Sequence, residues 1–195
     1  MTVAGAGLLG PADSLPCTPR RILLAGASGA GKTTLGQALS ALTGIRYVGL
    51  DALYHGPNWT QRPEFEADVK AIAGTDAWIT EFGYGRARPH VGPRAELLVW
   101  LDLPRWRVMT QVVPRTVRRR LRREELWNGN VEQAFHTIFT DPEHIVRWAW
   151  TTHGKTAVRV GQMRVQRPEL PVVRLRSRRD VTTWLAGPAR TLGPA

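Results

Sequence analysis

Along the chain, short apolar runs alternate with longer stretches of helical spacing. Arg21 to Ala25 (RILLA) is an apolar run that stops at a glycine-rich turn, as a strand buried on both faces does. A helix is predicted from about Lys32 to Leu42, with Gly44 suited to its C-terminal cap. The alternation continues with a strand at Arg46 to Leu50, a helix at Glu64 to Ala73 closed by Gly74, and a strand at Ala77 to Thr80. Leu97 to Leu103 is nearly all apolar and reads as a further buried strand.

Beyond Leu103 the pattern turns helical. Pro114 is expected to end one helix, and Arg115 to Trp127 to form the next. Asp141 and Pro142 suit a cap and first position for a helix running to about Met163. Pro171 to Arg176 reads as the last strand, and Ser177 caps a final helix from Arg178 to about Leu185. Strands separated by helices predict an α/β fold with a parallel sheet, whose ligands bind at the carboxyl ends of the strands. One domain is expected over 21–186. Residues 1–20 and 187–195 have no period and are expected to be flexible tails.

The turn after the first apolar run matches G-x-x-x-x-G-K-[S/T] through Gly26, Gly31, Lys32 and Thr33. Strand before and helix after are the context that the motif's mechanics require. Backbone amides of Ser28, Gly29, Ala30 and Gly31 would cradle phosphates at a helix N-terminus. Lys32 would bridge the β- and γ-phosphates, Thr33 would offer its hydroxyl to Mg2+, and Thr34 would reach the α-phosphate. The expectation is ATP with magnesium. Three carboxylates fall at strand ends: Asp51, Glu81 and Asp102. Glu81 is expected to hold a magnesium-bound water, on the premise that only one of Glu81 and Asp102 lies beside the loop strand. Asp102 then reads as a loop cap ahead of Pro104. Asp51 reads either as an acceptor-binding group or as a cap.

Charge changes the picture in one respect. The net charge is +11, from 27 basic and 16 acidic residues, which favours anionic partners. Only Lys32, Lys70 and Lys155 are lysines, so a lysine in the phosphate loop stands out from a chain that otherwise uses arginine. Arg115, Arg118, Arg119 and Arg122 share one helical face. That face fits a lid closing over phosphates, a solvated basic helix, or a contact for DNA. Among the tryptophans, Trp78 and Trp100 read as core, and Trp148 and Trp150 as packing the inner side of their helix. Trp59, in a polar loop, either stacks on a substrate ring or packs. The five histidines show no metal-ligand spacing. A single cysteine, Cys17, excludes an intramolecular disulfide and suggests a cytoplasmic setting; no run is long enough for a membrane span.

Several runs, taken in order, resemble the adenylate-kinase-related proteins called DNA topology modulation proteins. They are Leu50-Asp51-Ala52-Leu53-Tyr54 with Pro57, Trp59 and Arg62; Trp78-Ile79-Thr80-Glu81; Leu101 to Trp106 with the arginine-rich helix; Arg147 to Trp150; and Val173 to Arg178. The resemblance implies a P-loop NTPase of the nucleoside/nucleotide-kinase type, with a five-stranded parallel sheet and an arginine lid over about 112–140. It puts Asp51 and Arg62 on the acceptor side; Tyr54, Trp59 and Arg86 are further acceptor candidates read from the sequence itself. It puts Arg115, Arg119 or Arg122 in the lid. The family's Asp-Gly-Asn-Tyr is here Glu81-Phe82-Gly83-Tyr84, which leaves the acceptor open. The reading is an ATP-dependent kinase of a small hydroxyl- or phosphate-bearing acceptor, with Lys32, Asp51 and Arg119 catalytic and ATP hydrolysis as a side activity. The alternative is a non-catalytic, nucleotide-dependent regulator acting on DNA topology.

Overall fold

The strand that ends in the glycine loop lies inside the sheet. In the computed structural model, which describes residues 7–132 and 144–193, β2 (Arg21–Gly26) pairs in parallel with both β4 (Trp78–Glu81) and β5 (Leu97–Leu101). Outside β4 lies β3 (Tyr47–Val48), and outside β5 lie β6 (Val172–Leu175) and then β1 (Leu8–Leu9). The order is β1-β6-β5-β2-β4-β3, all parallel. The sheet therefore has six strands where the sequence predicts five. The extra strand comes from the segment expected to be a flexible tail: Leu8 and Leu9 complete the open edge of β6. The other tail is also structured in part, since Ala189 and Leu192 are buried in a short turn at Pro188–Leu192.

Parallel strands covered on both faces must be apolar throughout. Alternate residues of β2 feed two cores. Ile22 and Leu24 pack with Leu35 and Leu39 of α1 (Lys32–Thr43) and with Val108 and Val112 of α5 (Arg105–Arg122). Leu23 and Ala25 pack with Leu50 of α2 (Leu50–Tyr54), Phe65 and Val69 of α3 (Phe65–Gly74), and Val91 of α4 (Arg88–Val91). Two further helices, α6 (Ile145–Gln166) and α7 (Arg178–Ala186), complete the layers. Gly44 caps α1 in the left-handed conformation, and the Ser177 hydroxyl accepts from the Asp180 amide to cap α7, as the sequence predicts.

Two helical expectations are corrected. Pro114 lies inside a continuous α5 and does not end it. The lost hydrogen bond and ring clash cost about 3 kcal/mol, offset by burial of Val108, Val112 and Thr116 along one side. Trp148 and Trp150 do not pack inward; they are 45% and 52% exposed, and Ala149 between them takes the buried position. Asp141 and Pro142, and the distal part of the expected lid, lie outside the described residues. No described helix is long and apolar enough to cross a membrane.

Candidate functional site

The turn from Gly26 into α1 is built by two glycines with positive φ, Gly29 at 79° and Gly31 at 99°. Such angles favour glycine, and they let the loop fold back so that the Ala30 amide donates to the Ala27 carbonyl at 3.0 Å. Gly29 is also a site of close approach: a Cβ there would stand 2.1 Å from Val112 Cγ2. Helix α5 thus rests directly on the loop. Lys32 folds over it, with Nζ 3.2 Å from the Gly26 carbonyl and 3.3 Å from that of Ala27. The first-turn amides of α1 have no intrahelical partner, and they meet this ammonium at the carboxyl end of the sheet.

Glu81, the last residue of β4, is buried at 5% exposure. Its Oε2 lies 4.0 Å from Lys32 Nζ, and its Oε1 accepts a 2.7 Å hydrogen bond from the Tyr47 hydroxyl. Burial pushes the Glu81 carboxyl above its usual range; Lys32 opposes this and Asp51 adds to it. The Tyr47 phenol is also pushed up, by burial and then by Glu81, with hydrogen bonding to Thr33 acting the other way.

The premise that only one strand-end carboxylate borders the loop strand is corrected, because β4 and β5 both flank β2. What separates the two acids is their partners. Asp102 accepts from Arg174 Nε at 2.8 Å, and that guanidinium covers the Trp100 ring at 4.8 Å. Glu81 instead faces the lysine.

Asp51 sits in the first turn of α2, where its Oδ1 accepts from the Tyr84 hydroxyl at 2.6 Å. The same hydroxyl is 3.3 Å from His55 Nε2. Burial and the Asp51 charge push the Tyr84 phenol upward. Tyr84 stacks on Tyr54 at 4.2 Å, and Trp59 meets His55 at 5.1 Å. The Trp59 loop is held by the segment after α5: Asn130 Oδ1 accepts from the Trp59 amide at 2.9 Å, and Asn130 Nδ2 donates to the Gly56 carbonyl at 2.8 Å. Arg62 and Arg86 are engaged by carboxylates, Arg62 with Asp68 at 3.2 Å and Arg86 with Glu66 at 3.5 Å.

The predicted arginine face divides. Arg118 and Arg122 are exposed. Arg119 meets Glu132 at 3.4 Å and Glu124 at 3.9 Å. Arg115 is different: its Nη2 lies 3.8 Å from where a Gly29 Cβ would be, and among the described residues no carboxylate comes within ion-pair distance. Its Nε is buried without a hydrogen bond. Burial pushes this guanidinium below the usual arginine range and Arg119 adds like charge, while Glu132 and Asp51 pull the other way. A buried cation left unpaired beside a phosphate-type loop is costly unless an anion joins it.

Sequence reasoning missed Tyr47, Tyr84, Asn130 and Glu132. Only Gly36 signals Tyr47: a glycine inside a helix, where a Cβ would stand 2.4 Å from the Tyr47 ring. Nothing local signals the buried Asn130, whose partners Gly56 and Trp59 are distant in sequence, or the buried Glu132, held by Arg119.

Fold and site together define an α/β protein with a phosphate-type loop at the end of a central parallel strand. No family model matches the chain, so the resemblance to DNA topology modulation proteins has no family-level support, and no curated protein matches it either. Among solved structures, it is similar to shikimate kinase from Bacteroides thetaiotaomicron (15% identity, 86% of this chain and 95% of that one, TM-score 0.47). Shikimate kinase from Acinetobacter baumannii, in complex with shikimate, gives 19% identity, 88% and 87% coverage and a TM-score of 0.46. A gluconokinase from Sinorhizobium meliloti 1021 gives 18%, 74% and 97%, and 0.40. Identities and scores this low carry no substrate or mechanism across to this chain.

Proposed function

We propose that the protein is an ATP-dependent phosphotransferase acting on a hydroxyl of a small acceptor. One observation carries the reading. The loop lysine Lys32, the buried Glu81 and Arg115, which has no carboxylate partner among the described residues, converge on one end of the sheet, and the Asp51 charge acts on both Glu81 and Arg115. This arrangement supports a reading in which a donor site lies beside an acceptor carboxylate, as transfer requires and simple storage of a nucleotide does not.

The residues present fit magnesium. Thr33 and Glu81 would hold the ion or its waters together with the triphosphate oxygens, the arrangement magnesium favours over an all-protein cage. When bound, it would neutralise charge on the transferring phosphoryl group. Lys32 and the loop amides bind the β- and γ-phosphates, and Arg115 faces the charge that spreads over the γ-oxygens. Asp51 orients the acceptor hydroxyl and takes its proton. Arg119, through Glu132, holds the end of α5 and the segment that follows, so Arg115 replaces it here as the arginine at the reacting group.

The test is ADP release with a panel of nucleosides, nucleoside monophosphates, sugars and sugar acids, scored above the acceptor-free rate. At least one acceptor should stimulate release. Arg115→Ala should lower the stimulated rate on the order of 10³-fold, whereas Arg118→Ala stays within about twofold of the parent. An Arg115→Ala protein that turns over like the parent removes the assignment.

A further inference from the structure

The chain is strongly basic, yet its acceptor side is not. Helices α5 and α6 carry seven arginines and four cations respectively, with no Asp or Glu in either. Residues 51–76, which supply Asp51, the Trp59 loop and α3, hold five carboxylates against two cations. Among the described residues, Arg62, Arg86, Lys70 and His90 are each held by a carboxylate. Arg62 is bound by Asp68 at 3.2 Å and donates to the Leu53 carbonyl at 3.2 Å, so it fastens the loop. Arg86, Lys70 and His90 all converge on Glu66. Arg88 has no carboxylate partner among the described residues; it lies over the Phe82 ring, away from the ring wall at Asp51, with the like charge of Arg159 beside it.

What the acceptor side does expose is aromatic. Tyr54, His55, Trp59, Tyr84 and Trp127 are each partly exposed and in mutual ring contact, and the Tyr84 hydroxyl ends on Asp51. A carboxylate beside a ring wall accepts from a hydroxyl and favours the C–H or ring face of the molecule that carries it. The same carboxylate repels an anion.

We propose that the acceptor is a hydroxyl compound with no negative charge, lying on the Trp59–His55–Tyr54 wall with its reacting hydroxyl at Asp51. The inference rests on the phosphotransfer reading above. It separates sugars, nucleosides and amino alcohols from nucleoside monophosphates and sugar acids.

The experiment compares molecules that differ in one group: adenosine with adenosine monophosphate, and glucose with gluconate and with glucosamine. ADP release is followed at saturating magnesium-ATP. One neutral or cationic member should show kcat/KM at least about tenfold above its anionic counterpart. Trp59→Ala should raise that acceptor's KM by about tenfold with the KM for ATP unchanged, and Trp59→Phe should recover most of the loss. An anionic member that equals or exceeds its neutral counterpart overturns the inference and leaves the phosphotransfer reading standing, since transfer is then observed. Stimulation by none of the five, with magnesium-ATP still bound, overturns both.

Discussion

At the end of β4, the buried Glu81 is held by one phenol and one distant ammonium. Its folded-state pKa is raised above the unfolded value, chiefly by burial. For such a group the favourable contribution is complete below the unfolded pKa, near 4.3, and is lost as pH rises through the folded value. Above that range the carboxyl therefore weighs against the empty fold. Glu81→Gln, without metal or nucleotide, should raise the melting temperature by a few degrees at pH 7.5. The gain should close by pH 4, while turnover is lost at every pH. Scanning calorimetry at the two pH values checks this; a lower melting temperature for Glu81→Gln at pH 7.5 would mean that Lys32 and Tyr47 outweigh burial. Glu81 itself was legible in the sequence as the end of an apolar run. Tyr47 was not, because a tyrosine in a short strand reads as ordinary strand composition, and only the register of β3 against β4 brings it to the carboxylate.

Between elements, the decisive contact is α5 against the loop. Gly29 was legible as part of a phosphate motif, for its backbone angle. That its missing Cβ also admits Val112 was not, since residues 29 and 112 meet only in the folded chain. Gly29→Ala should destabilise by about 2–4 kcal/mol, from a positive φ together with the clash. Adding Val112→Ala should recover part of that loss, although Val112→Ala alone destabilises the parent. Urea midpoints with unchanged m values would establish the coupling; strictly additive losses would separate α5 from the loop. The α/β alternation, the parallel sheet and the helix caps at Gly44 and Ser177 were readable because each is a local pattern. Three features were not: the sixth strand, the unbroken α5, and the split of the arginines into exposed Arg118 and Arg122 and inward Arg115 and Arg119. Edge pairing at Leu8–Leu9 and packing under Pro114 are tertiary effects that override local breakers.

Across the whole molecule, charge is sorted by place. The helices α5 and α6 are wholly basic, and the acceptor segment is acidic. The loop stands between them, under Arg115 and beside Glu81. Under the proposed function, such an arrangement would draw a triphosphate to one side and leave the other for an uncharged partner. The central claim is that this loop binds the triphosphate through Lys32. Calorimetric titration of magnesium-ATP into the parent protein and into Lys32→Ala tests it most directly. Saturable one-to-one binding by the parent, weakened on the order of a hundredfold or more in the variant, is the predicted result. No binding by the parent, or equal binding by both proteins, would contradict it.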